Sequence, residues 1–246
     1  LELLLSGRFP RVWVPATAQR DLRQLLWHRH KLVRLRTQLR NQLHALAMSQ
    51  GLRRRRKLWS RKGRQELEGL ALGPWAARRR QDLLLWLEQL NPATQELDHQ
   101  VQQEAQRWPE VRRLMTHPGV GPVVGLAFVL ILGPVERFRR SKQVVSYLGL
   151  NPREHSSGGR QRLGSISKQG NPMLRWLLVE AAQTAARLDP QLARDYRRLA
   201  WRRGSAVAKV AVARKLAVRL YWMQRQQIDY GAWVRTQGSP QAAVVD

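Results

Sequence analysis

Apolar positions recur at helical spacing along most of this chain. Leu25, Leu32, Leu39 and Leu46 stand seven residues apart, and Leu22, Leu35 and Leu43 fill the adjoining stripe. With Thr17 as a cap, this predicts a helix over residues 17 to about 48. A second long helix is predicted from 76 to about 108. There Leu83, Leu87, Leu90, Thr94, Leu97, Val101 and Glu104 alternate steps of four and three, the spacing of a coiled-coil seam. Asn91-Pro92 interrupts it and predicts a kink or a split. Two such helices separated by a loop suggest an antiparallel helical hairpin, which can also serve as a dimer seam.

The pattern changes on either side. Pro10 and Pro15 bracket Trp13 and Val14, so residues 1–16 read as an extended tail. Beyond Trp108-Pro109 come a short helix at 110–115, a Gly-bracketed turn and an apolar helix ending at Gly133-Pro134. A further helix opens at Ser141 and ends at Gly149. Asn171-Pro172 is a strong helix start, Asp189-Pro190 ends that helix, and helices over 191–202 and 206–227 follow. The fold class is therefore mainly α. A helical, coiled-coil-like spacer (17–108) with a basic loop (51–64) precedes a compact helical domain (109–230). That domain holds a helix-hairpin-helix-like segment and a short loop or hairpin insert, and a frayed tail (231–246) closes the chain.

Charge sharpens this outline. The 246 residues carry 44 Lys and Arg against 17 Asp and Glu, a net +27. Residues 1–62 hold 16 basic and 2 acidic groups, 63–117 hold 7 and 8, and 118–246 hold 21 and 7. Two basic ends around a neutral middle point to nucleic acid as the partner, with a membrane surface second. The run Arg53, Arg54, Arg55, Arg56 and Lys57 suits phosphate without reading sequence, and suits a basic linker equally. Arg20, Arg23, Arg29, Arg34, Arg36 and Arg40 line faces of the first long helix, where solvation and nucleic-acid contact both remain open. The absence of cysteine excludes disulfides and Cys-based zinc sites. Val123 to Leu132 is about half the roughly 20 apolar residues of a membrane span, and LELLLSG lacks the basic lead-in of a signal peptide. The expectation is a soluble cytoplasmic protein without membrane partners.

Two segments carry candidate chemistry. In HPGVGPVVG, Gly119 and Gly121 permit a turn that presents backbone N–H groups to a phosphate at a helix N-terminus, or that simply packs two helices closely. In GLNPREHSSGGRQRLGSISKQG, Ser156 and Ser157 lie beside Glu154 and His155, with Arg153, Arg160 and Arg162 nearby. A serine becomes a nucleophile when its proton is removed and the developing charge is stabilised, and arginines hold phosphate by paired hydrogen bonds. This permits phosphoryl transfer. It equally permits a Ser/Gly hairpin that bonds to itself while its arginines touch DNA. His155 is a candidate base; Lys168, with Ser165 and Ser167, suits a phosphate or structural contact.

The segments PGVGPVVG, YLGLNPREHSSGGRQRLGSISKQGNPMLRWLLVEAA and VAVARKLAVRLYWM resemble the C-terminal domain of insertion-sequence transposases of the one-ten/one-sixteen/nine-oh-two family. The resemblance spans roughly residues 114–230. It implies a bacterial, nucleoid-associated DNA transposase that cuts and rejoins DNA through a covalent phosphoserine. It also implies a structured guide RNA and a homodimer or tetramer. By position the family nucleophile falls on Ser157, with Ser156 as fallback. Such proteins begin with a RuvC-like domain bearing four acidic residues, to which Mg²⁺ belongs. Here only Glu2 and Asp21 are acidic before Glu66. The expectation is a truncated transposase with no cofactor or metal of its own, inactive alone. A non-enzymatic helix-hairpin-helix binder of DNA or RNA is the alternative; a basic structural protein fits the serine-glycine-arginine loop least.

Overall fold

A computed structural model describes residues 2–7, 12–53, 57–158, 160 and 162–237. Helix α1 (Glu2–Leu5) is followed by α2 (Thr17–Ser49), α3 (Arg61–Glu68), α4 (Pro74–Arg107), α5 (Pro109–Met115) and α6 (Pro122–Leu132). Next come α7 (Ser141–Tyr147), strands β1 (Pro152–Glu154) and β2 (Leu163–Ile166), α8 (Pro172–Leu188), α9 (Pro190–Arg203), α10 (Ser205–Arg225) and α11 (Tyr230–Gln237). The protein is mainly helical, as its periodicity predicts, and β1 pairs with β2 in an antiparallel ribbon.

Helices α2 and α4 pack side by side and run in opposite directions. Arg29 near the start of α2 donates to Asp98 near the end of α4 at 2.6 Å, and Arg79 donates to Gln42 at 3.0 Å. Ala16, not Thr17, stands at the cap of α2: its N–H donates to the Gln19 side chain at 3.3 Å, and Thr17 is the first helical residue. α4 continues past Pro92 as one element. Leu39, Leu43 and Ala47 meet Leu83, Leu84 and Leu87 at the far end of the pair, and Leu58 and Leu67 cover them. The basic loop is thus anchored by buried leucines on both sides. Arg53 is exposed, and Arg54, Arg55 and Arg56 lie outside the described residues.

The main core surrounds α6. Every residue from Gly125 to Leu132 is buried, enclosed by α2, α4, α5 and α8. A helix apolar on all sides is stable only when enclosed. Leu26, Val101 and Ala105 belong to this same core, so the near end of the α2–α4 pair is built into it. Gly119 has φ +87°, and a Cβ there would come within 2.7 Å of the Ala181 carbonyl oxygen and the Ala185 nitrogen of α8. The turn between α5 and α6 therefore sits directly on the α8 backbone, which accounts for this glycine by helix packing. Gly121 stands at the N-terminal end of α6 in extended backbone.

Segments near both ends dock, where the sequence suggests an extended tail (1–16) and a frayed one (231–246). Trp13 lies over Gly133 with the Arg23 and Arg137 guanidiniums at 5.2 and 4.8 Å from its ring. At the other end, the tail expected from Gly231 is helical as far as Gln237. Trp233 is buried, with Arg219 stacked 4.6 Å over it, because its indole finds an apolar and cationic seat that periodicity alone does not reveal. The last nine residues, 238–246, lie outside the description. Among the described residues no helix is long and apolar enough to cross a membrane.

A buried polar knot joins these elements. Asp189, 3 % exposed, caps α9 by accepting the Leu192 N–H at 2.6 Å. It also accepts from Arg219 of α10 at 2.7 Å and from the Tyr230 hydroxyl of α11. Burial pushes its pKa up, but these donors outweigh burial and hold it below the ordinary carboxylate value. Removing one partner of such a pair costs about 3–5 kcal/mol, because the other charge stays buried.

His117 packs against Tyr230 with ring centroids 4.6 Å apart. Its Nδ1 meets the Pro118 carbonyl at 2.8 Å, and its Nε2 has no partner among the described residues. Burial lowers its pKa from 6.5 to about 4. In the unfolded chain the imidazole takes a proton near 6.5, whereas the folded chain resists until about 4. Between those values the unfolded state binds more protons, so stability falls as pH drops through this window, by about 3 kcal/mol in all. Urea unfolding across that range should record the loss, and His117→Gln should flatten the pH dependence.

Candidate active site

The loop between α7 and α8 rises from a closed neck. Gly149 and Gly170 both have positive φ, +66° and +85°. A Cβ on Gly149 would collide with Gln169, and one on Gly170 with the Tyr147 carbonyl. The two ends of the loop therefore touch backbone to backbone, as only glycines permit. The Lys168 N–H donates to Gly149 O at 3.1 Å and the Ser167 N–H to Asn151 O at 2.8 Å. The Ser167 hydroxyl also donates to Asn151 Oδ1 at 2.8 Å. From α8, Arg175 donates to the carbonyls of Leu148 and Gln169, both at 3.2 Å, gripping both ends at once. Asn171 completes the neck by capping α8 through the Leu174 N–H at 3.0 Å.

Above the neck stands the ribbon. Pro152 pairs with Ile166 and Glu154 with Leu163, with a register irregularity between them. The His155 N–H donates to Arg162 O at 2.9 Å, and the Arg160 N–H donates to Ser157 O at 3.2 Å. The two adjacent serines have different surroundings. Ser156 is engaged twice: its hydroxyl donates to Glu154 Oε1 at 2.6 Å and accepts the Arg162 N–H at 3.1 Å. Ser157 is exposed at the tip, and its hydroxyl makes no hydrogen bond among the described residues.

The family model for "Transposase IS116/IS110/IS902 family" matches residues 111–197, from α5 through the ribbon into α9. A probable family 20 transposase of Pseudomonas aeruginosa is 31% identical over 223 residues, 85% of this chain and 64% of that protein. The transposase for insertion sequence element IS1111A of Coxiella burnetii is 31% identical over 222 residues, 86% of this chain and 60% of that protein. The chain belongs to the IS116/IS110/IS902 transposase family. The transposase for insertion sequence element IS1328 of Yersinia enterocolitica is also 31% identical, over 81% of this chain and 61% of that protein. The chain thus spans about three fifths of the length of the curated relatives it matches.

Within this chain the ribbon gathers Arg153, Ser156, Ser157, Arg160 and Arg162 into one exposed projection. Arg153 donates to Ser167 O at 3.3 Å; the Arg160 and Arg162 side chains make no ion pair among the described residues. Gly158, with φ +59° and open space around it, turns the tip, and Gly159 lies outside the described residues. Lys168 is exposed in the neck with φ +58°. Gly119, Gly121 and Arg53 belong to other parts of the fold and do not line this loop. Asn151, Glu154, Ser167 and Arg175 hold the projection in shape; the sequence suggested a phosphate or structural contact for Ser167 and no such role for the other three. For Arg175 the available signal was a lone cation one turn into a helix that starts beside a glycine.

Among the described residues no three His, Cys, Asp or Glu side chains converge as a metal site requires. The described side chains therefore do not fit a Mg²⁺ centre.

Substituting Gly149→Ala should open the neck, costing about 1–3 kcal/mol from positive φ plus the collision with Gln169. Gly158→Ala meets only the φ cost, since nothing lies within 4 Å. Thermal unfolding with limited trypsinolysis at Arg153 and Arg162 should show faster cleavage for Gly149→Ala alone.

Proposed function

We propose that this chain supplies the serine half of a DNA strand-transfer site, with Ser157 as nucleophile. The observation that carries this reading is the contrast between the two serines. The Ser156 hydroxyl donates to Glu154 and accepts from the Arg162 N–H, whereas the exposed Ser157 hydroxyl makes no hydrogen bond among the described residues. A nucleophile has to reach phosphorus with an uncommitted lone pair.

In the proposed reaction Ser157 Oγ attacks the phosphorus of a DNA phosphodiester and loses its proton to a base, for which His155 is the neighbouring candidate. A serine–phosphate bond forms and the bond to the leaving strand's oxygen breaks, releasing a hydroxyl. A strand-end hydroxyl then attacks the phosphoserine, restoring the serine and joining the strands. Arg153, Arg160 and Arg162 hold the phosphate oxygens, with Lys168 below them, and catalysis is positioning plus charge stabilisation. Family membership supports DNA as the substrate. It extends the reading to a structured guide RNA, a homodimer or tetramer, and an acidic nuclease domain that carries Mg²⁺ in such transposases. Gly119, Gly121 and the basic loop Arg53–Arg56 are proposed as sequence-independent backbone contacts.

A second reading follows from the 2.6 Å bond between Ser156 and Glu154, which places a carboxylate where a general base belongs. A gapped DNA substrate, incubated with the chain and an acidic nuclease domain of the family, separates the readings on a denaturing gel. The expected result is a protein–DNA covalent band that falls by at least about a thousandfold in Ser157→Ala and persists in Ser156→Ala. Persistence in Ser157→Ala with loss in Ser156→Ala assigns the nucleophile to Ser156. A band insensitive to both substitutions overturns the serine mechanism.

A further inference from the structure

The acid-poor stretch after the ribbon holds a surface that the strand-transfer site does not use. Residues 190–215 contain eight Lys and Arg and one acid, Asp195. That carboxylate is already taken, accepting from Lys215 at 2.5 Å and from Arg198 at 3.2 Å. Arg194, Arg197, Arg202 and Arg203 make no ion pair among the described residues and are exposed.

Helical geometry collects these side chains. At 100° per residue, Arg194, Arg197, Arg198 and Trp201 fall within about a quarter of the circumference of α9, with Arg202 at its edge. Leu192, Tyr196 and Leu199 occupy the opposite side, where Leu192 is fully buried. Trp201 is 89 % exposed in the middle of the cationic face. Leaving an indole in water costs the burial that a tryptophan ordinarily gains, about 25 cal/mol per Å² of apolar surface. The carboxyl end of α9 turns at Gly204 directly into α10, whose first residues line an apolar groove of about 410 Å³. Pro152, Gly164 and Ile166 of the ribbon line the other side of that groove. The helix that follows α9 thus shares a groove with the base of the ribbon.

We infer that this face of α9 binds single-stranded DNA, with its arginines on the phosphates and Trp201 stacked on an unpaired base. The partner follows from two features. Unneutralised guanidiniums at helical spacing suit a polyanion. An isolated indole has no base face to meet in an intact duplex, but meets one wherever a strand has left its complement. Strand transfer generates such a strand next to the reacting phosphate; the choice of DNA rests on that proposed reaction, whereas the binding itself is independent of which serine attacks.

The test is fluorescence-anisotropy titration of the 246-residue chain with labelled oligo-dT of about 20 nucleotides. A mixed-sequence duplex and oligo-U of the same length are titrated alongside. Trp201→Ala should weaken oligo-dT binding about 5- to 100-fold while leaving the duplex nearly unchanged, and Trp201→Phe should retain most of the affinity. Arg197→Ala should weaken both and lower the salt slope on oligo-dT by about 0.7. Unchanged melting temperature is expected for Trp201→Ala, whose side chain touches little. Undiminished oligo-dT affinity in Trp201→Ala overturns the inference. So does an effect confined to oligo-U, or a changed oligomeric state at constant DNA affinity, which would make the face a contact between copies. Oligo-dT binding is read on the Trp201 and Arg197 variants and the covalent band on the serine variants, so failure of one experiment and failure of the other are separate results.

Discussion

A helix that is apolar around its whole circumference has to be enclosed, and α6 is such a helix. Its residues from Gly125 to Leu132 have no face that tolerates water. The enclosure is assembled from parts distant in sequence: the start of α2, the end of α4, α5 and α8. Hydrophobic burial is non-directional, so it explains why these helices gather but not their register. Register comes from close approach and from polar ties. Gly119 lets the α5–α6 turn lie on the α8 backbone. Arg23 of α2 donates to the Leu130 carbonyl near the end of α6. α8 is thereby fixed from beneath, and α8 is the helix whose first turn carries Asn171 and Arg175.

The loop inherits its rigidity from that helix. Arg175 grips both ends of the neck, so a side chain positioned by the core also closes the projection that holds the serines. Above the neck the apolar contribution fades, and Ser156 takes over by bridging Glu154 and the Arg162 backbone. A short two-stranded ribbon is marginal by itself. Fixing it at the base by glycine contact and higher up by a hydroxyl leaves one serine committed to structure and its neighbour available. The pairing of adjacent serines thus has a physical division of labour.

How far the sequence disclosed this depends on the interaction involved. Local signals were legible: Asn171-Pro172 and Asp189-Pro190 mark helix boundaries because caps act within three residues. The loop between Gly149 and Gly170 was legible as a unit, since paired glycines around polar residues leave few other conformations. Long-range consequences were not. Nothing in the spacing of Trp233 announces that it seats under Arg219, nor does Trp13 announce Gly133, because those contacts join residues more than a dozen positions apart. Leu26 replaces Leu25 in the core because the α2 face is set by α6 and α4 together, not by a regular seven-residue seam. Asp189 was legible as a boundary but not as the hub of Arg219 and Tyr230. Its local role as a cap conceals its tertiary role.

The distribution of acidic residues explains how so basic a chain keeps both a fold and free cations. Carboxylates are scarce, and most of those in the C-terminal half have structural tasks. Asp189 ties α9, α10 and α11; Asp195 joins α9 to Lys215; Asp229 caps α11 through the Ala232 N–H at 2.6 Å; Glu154 braces the ribbon. Across α2, α3 and α4, Arg29, Arg64, Arg78 and Arg107 meet Asp98, Glu68 and Glu88, Asp82, and Glu104 respectively. Exposed pairs of this kind add little stability each, but every one removes a cation from the surface field. Among the described residues of the C-terminal half, the exposed cations without a carboxylate partner include Arg160 and Arg162 at the ribbon tip and Arg194, Arg197, Arg202 and Arg203 on α9. Self-repulsion there is tolerable because both sites project into water, where screening acts within about 10 Å at moderate salt. Clustering these arginines raises the local positive potential that any polyanion would feel. A fold with acids on those two surfaces would relieve the repulsion and lose that potential.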